Sequence, residues 1–341
     1  MDRKKEKLNE TVETQQELQI VKLRNSKSTE LCISNFGAGI ISLKFLNQGE
    51  PVNVVVGPED PADYLREIYH KKGKFFGATV GRHAGRISNG GFEIDGKKYH
   101  LFKEEGVHLH GGKYGFSYKF WKVEEVWEGK DAFVRLSYFS KDREEGYPGN
   151  LKVEAKYTLT EEDHVKIEYS AVSDKKTIVN LTNHTYFNLN GGGSVNDHVL
   201  KINAERKLEV DEKTIPTGHF LDLNGAEDDF SEPKLLKDIF LDTAYQLRNG
   251  EELREQVYLK AGKSLIGLRI KTNQPAVVVY VPEELPMNWN YATDISTSRA
   301  AICLETQQLP DAPHNPQFGT AFLEAGEKYV NETIWIFETE A

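Results

Sequence analysis

Glu305 closes the apolar run "RAAICLE", and His184 stands in the middle of "NLTNHTYFNLNGG", which runs from Asn180 to Gly192. A carboxylate that follows Ala-Ile-Cys-Leu is partly desolvated, and such a group must be paired, hydrogen-bonded or shifted in pKa. Histidine titrates near neutrality, so a desolvated glutamate and a histidine together make an acid and a base at neutral pH. In a strand, successive side chains point to opposite faces. Val179, Leu181, Thr185, Phe187 and Leu189 then share one face, with Asn183 its only strongly polar member. Asn180, Thr182, His184, Tyr186, Asn188 and Asn190 share the other, which is either merely wet or lines a site.

Two further stretches gather groups that a core would not choose. "VGRHAGRISNGG" holds Arg82, His83 and Arg86 among glycines, and "EGVHLHGGKYGF" puts His108 and His110 on one strand face before Gly111-Gly112. Each has a bland alternative as a surface cation, a satisfied core histidine or a turn. Glu305 shares a face with Cys303 and Gln307, and lesser candidates are Asp242 in "IFLDTAYQL" and the tryptophan of "MNWNYA". His-x-His on a β scaffold suggests a metal site of the cupin kind, which needs a carboxylate a few residues on. No acid follows His110 until Glu124, so no metal is expected. An Asn-, Thr- and Tyr-rich face suits a polyhydroxylated ligand such as a sugar. At an anomeric centre, one group would remove the C1 hydroxyl proton while the other protonates the ring oxygen.

The elements that must position these groups are mostly strands. "FEIDGKKYHL" places Asp95-Gly96 between two alternating runs, a strong hairpin signal. "LKVEAKYTL" alternates Leu151, Val153, Ala155, Tyr157 and Leu159 with polar residues, and "HVKIEYSAV" keeps the same rhythm. "PAVVVYVP", "RAAICLET" and "ETIWIFE" continue it. "DPADYLREIYH" and "SEPKLLKDIFL" each predict a short helix, with Pro near an acidic or Ser start. The expected architecture is all-β: one large antiparallel β-sandwich over residues 17–341 with few short helices, after a charged, flexible tail at 1–16.

The chain has 341 residues, with 43 Lys and Arg against 53 Asp and Glu, a formal net charge of −10. That balance offers no global positive field for nucleic acid or an anionic membrane. The lysines of "MDRKKEK" and "YHKKGK" read as solvated surface. No run approaches the roughly 20 apolar residues that span a bilayer, and the charged start has no apolar stretch after it. Cys32 and Cys303 are too few for a disulfide framework. The reading is a soluble cytoplasmic protein, and the sequons at Asn180, Asn183 and Asn331 are chance matches.

"AGRI" at 84–87, "LHGG" at 109–112, "EEGYPGNL" at 144–151, "NLTNHTYFNL", "IPTG" at 215–218 and "CLETQ" with "PDA" at 303–312 resemble the aldose 1-epimerase, or galactose mutarotase, family. The matches keep the family's order and span most of the chain. The resemblance implies the galactose mutarotase-like supersandwich fold, no metal or organic cofactor, and an aldose substrate such as galactose or glucose. It further implies Glu305 as general base on the C1 hydroxyl and His184 as general acid on the ring oxygen. His110 would position and polarise the sugar, and Arg86 and Asp242 would bind its hydroxyls. Monomer and homodimer both remain open.

The sequence departs from the pattern in four places. Gly85 stands where many members have Asn, "LDTAY" where many have Phe-Asp-His, and Val278 where some have a sugar-binding Gln, while "PHNPQF" at the end of the "PDA" loop differs slightly. The proton-transfer pair is kept while part of the hydroxyl-binding shell is not, so sugar preference is expected to shift. Three other functions compete. Glycoside hydrolysis by Glu305 and Asp242 would leave the histidines idle. A non-catalytic sugar-binding protein could keep the fold, and a hexose 6-phosphate substrate would need extra cations.

Overall fold

In the computed structural model, residues 17–248 and 252–339 are described; the tail expected at 1–16 lies outside them. Among the described residues, two large antiparallel sheets dominate. The nine-stranded sheet runs in the order Lys122–Trp127, Ala132–Ser140, Leu151–Leu159, His164–Ser173, Lys328–Glu338, Gly267–Thr272, Arg254–Lys260, Val199–Ile202 and Lys234–Leu235. The seven-stranded sheet runs Pro216–Asp222, Ala204–Val210, Leu241–Leu247, Ala276–Val281, Ile302–Gln307, Tyr186–Phe187 and Val55–Val56. A four-stranded sheet, Ile20–Arg24 to Glu50–Asn53, packs into the same core.

The alternation predicted for 151–159 is what builds the first sheet. Leu151, Val153, Ala155, Tyr157 and Leu159 are all buried, and the strand pairs in unbroken register with its neighbours on both sides. The second sheet supplies Val277, Val279, Ile302 and Leu304 to that core, and Phe187 meets Trp335 across it with ring centroids 4.9 Å apart. The expected β-sandwich is therefore present. Asp95 (φ +51°) and Gly96 (φ +77°) form the predicted hairpin turn between Gly91–Ile94 and Lys97–His100.

Two expectations need correction. Residues 231–241 form no helix: Lys234–Leu235 pairs with Val199–Leu200, and Leu236 and Ile239 turn into the core. Residues 180–190 are not one strand. Thr182–Asn183 pairs with Thr79–Val80, whereas Tyr186–Phe187 pairs with both Ile302–Cys303 and Val55–Val56. The chain steps from one partner to the next, and residues 179–189 are buried on both sides. The other helix expectation holds as a 3-10 turn, Pro61–Leu65, followed by a short α-helix, Glu67–Lys72. Asp60 caps the turn by accepting from Ala62 N–H at 2.9 Å.

Candidate active site

Alternation along the seven-stranded sheet sends one set of side chains inward and the other to a cleft. On Ile302–Gln307, Ile302 and Leu304 join the core, while Glu305 and Gln307 line a cleft of about 200 Å³. On Ala276–Val281 the division is Val277 and Val279 against Val278 and Tyr280, and on Leu241–Leu247 it is Leu241 and Tyr245 against Asp242 and Ala244. Cross-strand register aligns these in rows. Ala244, Val278 and Glu305 are direct neighbours in one row, and Asp242, Tyr280, Cys303 and Tyr186 in the next. Val278 thus stands directly beside Glu305.

The opposite wall is built from turns. Arg86–Ile87 pairs with His108–Leu109, and the chain then reverses at His110, whose φ is +49°. That reversal separates the two histidines of His-x-His, which do not share a face. His108 is fully buried, donates from Nδ1 to the Phe102 carbonyl at 2.6 Å, and accepts from the Tyr147 hydroxyl. His110 lines the cleft instead. Its Nδ1 accepts the Gly85 backbone N–H at 3.3 Å, so the neutral ring carries its proton on Nε2 and is a donor there. Gly85 lies at φ +80°, and a Cβ there would meet Pro310 Cγ at 3.0 Å and Gln307 Nε2 at 3.3 Å. An asparagine in its place would require that contact to open.

His184 and Glu305 meet inside the cleft, with Nε2 and Oε1 3.6 Å apart, and they are only 4% and 2% exposed. Burial pushes Glu305 up to about 8; the charge of Asp242 adds to this and that of Arg86 opposes it. Burial pushes His184 down to about 4, and the Lys74 cation lowers it too. Between those values the pair holds a single proton, and in the free protein it sits on the carboxyl. Glu305 Oε2 and Gln307 Oε1 are buried with no hydrogen-bond partner. Such a group costs on the order of 1–3 kcal/mol, which a binding site recovers when ligand fills it.

Arg86 and Asp242 both line the cleft and form an ion pair at 3.5 Å. Each is partly exposed and each has donor or acceptor capacity left for a ligand's hydroxyls. Five residues singled out in the sequence are thereby brought together: Glu305, His184, His110, Arg86 and Asp242.

Others go elsewhere. Arg82 is no surface cation. It is buried and donates to Ser140 Oγ and to the carbonyls of Pro148, Ser140 and Lys141. Of the supposed polar face, only His184 and Tyr186 line the cleft. Asn180 and Asn188 spend their amides on backbone carbonyls, of Ala84 and Gln308 and of Gly193 and Ala300. Trp289 packs on Tyr69, Phe76 and Tyr291.

The sequence reading missed Lys74 and Phe75, which line the cleft. Phe75, at φ +60°, stands against both histidines, with centroid distances of 4.9 Å to His110 and 5.8 Å to His184. Tyr186 stacks on His184 from its own strand at 5.0 Å. No periodicity marks a residue placed by a left-handed turn, and "YHKKGK" read as solvated surface.

His110, His184 and Glu305 also offer three ligand atoms within 4.8 Å of one another. A metal with bonds of about 2.0–2.2 Å draws its ligand atoms to within roughly 4.4 Å even when they lie opposite each other. The 3.6 Å between His184 Nε2 and Glu305 Oε1 falls inside that limit, and because one His110 nitrogen is already engaged by Gly85, its Nε2 is the ligand atom left to offer.

The sequence profile described as aldose 1-epimerase matches residues 19–335. The aldose 1-epimerase of Haemophilus influenzae is 33% identical over 343 aligned residues, 94% of this chain and 96% of the relative. The galactose mutarotase of Homo sapiens is 36% identical over 315, covering 89% of each chain. Among solved structures, galactose 1-epimerase from Lactobacillus acidophilus superposes with a TM-score of 0.82 at 29% identity over 95% of both chains. An aldose epimerase homologue from C. elegans gives 0.85 at 26% identity over 95% of this chain and all of that one. The chain belongs to the aldose 1-epimerase family.

Proposed function

We propose that the protein interconverts the α and β anomers of a free aldohexose, galactose or glucose first among them, by acid–base ring opening. One observation carries this reading: a buried carboxyl and a buried imidazole face each other across 3.6 Å, inside a cleft of about 200 Å³ rimmed by an arginine–aspartate pair. Glu305 takes the C1 hydroxyl proton and His184 delivers one to the ring oxygen. The C1–O5 bond breaks as C1=O forms. Rotation about C1–C2 presents either face of the carbonyl, and the reverse transfers close the ring and restore the starting protonation state. His110, a donor at Nε2, holds and polarises the sugar beside that oxygen, while Arg86 and Asp242 take its hydroxyls.

For ring opening the shared proton must sit on His184. Arg86 favours that distribution and Asp242 opposes it. Hydrogen bonds from the sugar's hydroxyls to Asp242 spread its charge and tip the balance toward the ionised carboxylate. The opposite division of labour, with Glu305 as acid and His184 as base, conserves the same proton count. The resemblance and the neighbouring arginine support the first.

Val278 beside Glu305, and Gly85 on the facing turn, leave the hydroxyl-binding shell thinner, which supports a preference shifted away from galactose. We place the whole reaction in one domain, residues 17–341, because the sheet that carries Glu305 shares its core with the other large sheet. No described helix is long and apolar enough to cross a membrane. Two buried, free cysteines fit a reducing, cytoplasmic setting.

Polarimetry on freshly dissolved α-galactose and α-glucose tests the function. Faster approach to the anomeric equilibrium is expected from the protein and not from its Glu305→Gln variant. Saturable sugar binding without acceleration would make it a binding protein instead, and sugar released from a chromogenic glycoside would make it a hydrolase.

A further inference from the structure

His184 has a polar partner on one side only. Its Nε2 faces Glu305, while Nδ1 is buried and meets no hydrogen-bond partner among the described residues. A histidine that must carry charge usually leans through its second nitrogen on a carboxylate or a carbonyl, and this one does not. Burial and the Lys74 cation both work against a positive imidazole. What touches the ring instead is aromatic. Tyr186 stacks on it at 5.0 Å between centroids and 18° between planes, and Phe75 at 5.8 Å and 30°. The face of an aromatic ring is electron-rich and attracts a cation within about 6 Å of its centroid.

Phe75 is held there at a conformational cost. Its φ of +60° lies in the left-handed region, which a bulky side chain avoids, and such strain persists only where the surroundings enforce it. The surroundings here include His184 itself. Ala78 N–H closes the turn on the Phe75 carbonyl at 3.0 Å; Gly77 N–H donates to the His184 carbonyl at 3.0 Å, and His184 N–H to the Ala78 carbonyl at 2.9 Å. Asn183 Nδ2 donates to the Gly77 carbonyl at 2.8 Å. Gly77 admits no side chain, because a Cβ there would lie 1.8 Å from the Ile40 carbonyl oxygen. The Tyr186 hydroxyl donates to the Lys74 carbonyl at 2.8 Å. Both aromatic rings are therefore fastened to the turn that is fastened to the imidazole.

We infer that Phe75 is a positioning residue for the general acid: together with Tyr186, its ring face holds the tilt of His184 and stabilises the imidazolium from which the proton passes to the sugar. This deepens, and rests on, the proposed ring-opening activity. Phe75 moves no proton. It favours the arrangement in which Glu305 is ionised and His184 is charged over the one in which both are neutral, and so does for the histidine what a hydrogen-bonded carboxylate would do elsewhere.

The test replaces Phe75 by mono-, di- and trifluorinated phenylalanine, which keep the shape of the ring while draining charge from its face. kcat/KM for galactose anomer exchange compares the transition state with the free protein, and it should fall stepwise along the series, by about two- to fivefold at the trifluorinated ring. Phe75→Tyr, which keeps an electron-rich face, should behave like the parent. Anhydrogalactitol, a galactose without its C1 hydroxyl that cannot open, should bind every version equally by calorimetry. A rate that ignores fluorination would overturn the role, and so would a fall matched by weaker anhydrogalactitol binding, which would make Phe75 a platform for the sugar. Should the parent exchange no sugar, the ring-opening reading fails, and NMR titration of the His184 ring then decides the aromatic role by itself. The groups facing that ring, Glu305, Lys74 and His110, are the same in every version. A lower midpoint with the trifluorinated ring would support the stabilisation, and an unchanged one would refute it.

Discussion

The shared proton sets a pH window for activity. Glu305 is held at about 8 and His184 at about 4, so between those values the pair carries one proton, the state from which one group can give while the other takes. As pH falls through about 4, both groups are protonated and the base is lost. As pH rises through about 8, both are deprotonated and the acid is lost. Each further pH unit outside the window removes the productive form about tenfold, and kcat/KM reports the free protein. The values belong to the coupled pair. A titration of kcat/KM for anomer exchange, corrected for the uncatalysed reaction at each pH, should give a broad bell with a flat top across neutrality. A profile that still rises tenfold per unit above pH 8 would refute the single-proton account, since it would mean that the ionised carboxylate needs no protonated partner.

Substitutions at the ion pair should move one limb of that bell. Asp242→Asn removes the charge that raises Glu305, so the alkaline limb should shift to lower pH; Arg86→Ala should shift it higher while weakening sugar binding, and unchanged limbs in both variants would contradict the electrostatic role. His184→Ala should lower kcat by about 10²- to 10⁴-fold, well beyond any rise in KM, since proton transfer matters chiefly in the transition state; a change confined to KM would make it a binding residue. Activity should survive dialysis against EDTA, because Glu305 and His184 carry both proton transfers with their own side chains; loss of activity, restored by a divalent metal, would assign the His110–His184–Glu305 trio to metal chemistry.

The parts of the site that lie on regular strands were legible in the sequence. Glu305 follows a run whose alternate members fill the core, so its direction and its desolvation could be read from the period alone. Asp242 and Val278 were singled out by the family resemblance and not by the period. The period failed where the chain changes partners. "NLTNHTYFNL" alternates on paper, but three short pairings with three neighbours bury both of its faces, and Asn180 and Asn188 became backbone anchors. At His110 a left-handed residue, and not a strand face, turns the ring into the cleft while His108 stays in the core. The apolar spacing of 231–241 would fit a helix, yet an edge pairing with Val199–Leu200 and the burial of Leu236 and Ile239 overrode that local preference. Lys74 and Phe75 carry no signal at all, because their place in the cleft depends on a turn and on a distant wall.

The most direct test of the central claim is anomer exchange of galactose and glucose by the parent and by Glu305→Gln, side by side and with the fold of each checked by circular dichroism. The variant keeps the size of the side chain and removes its ability to hold or take a proton. The account predicts acceleration by the parent and a loss of at least about 10²-fold in the folded variant. A folded Glu305→Gln protein that exchanges anomers as fast as the parent would contradict it.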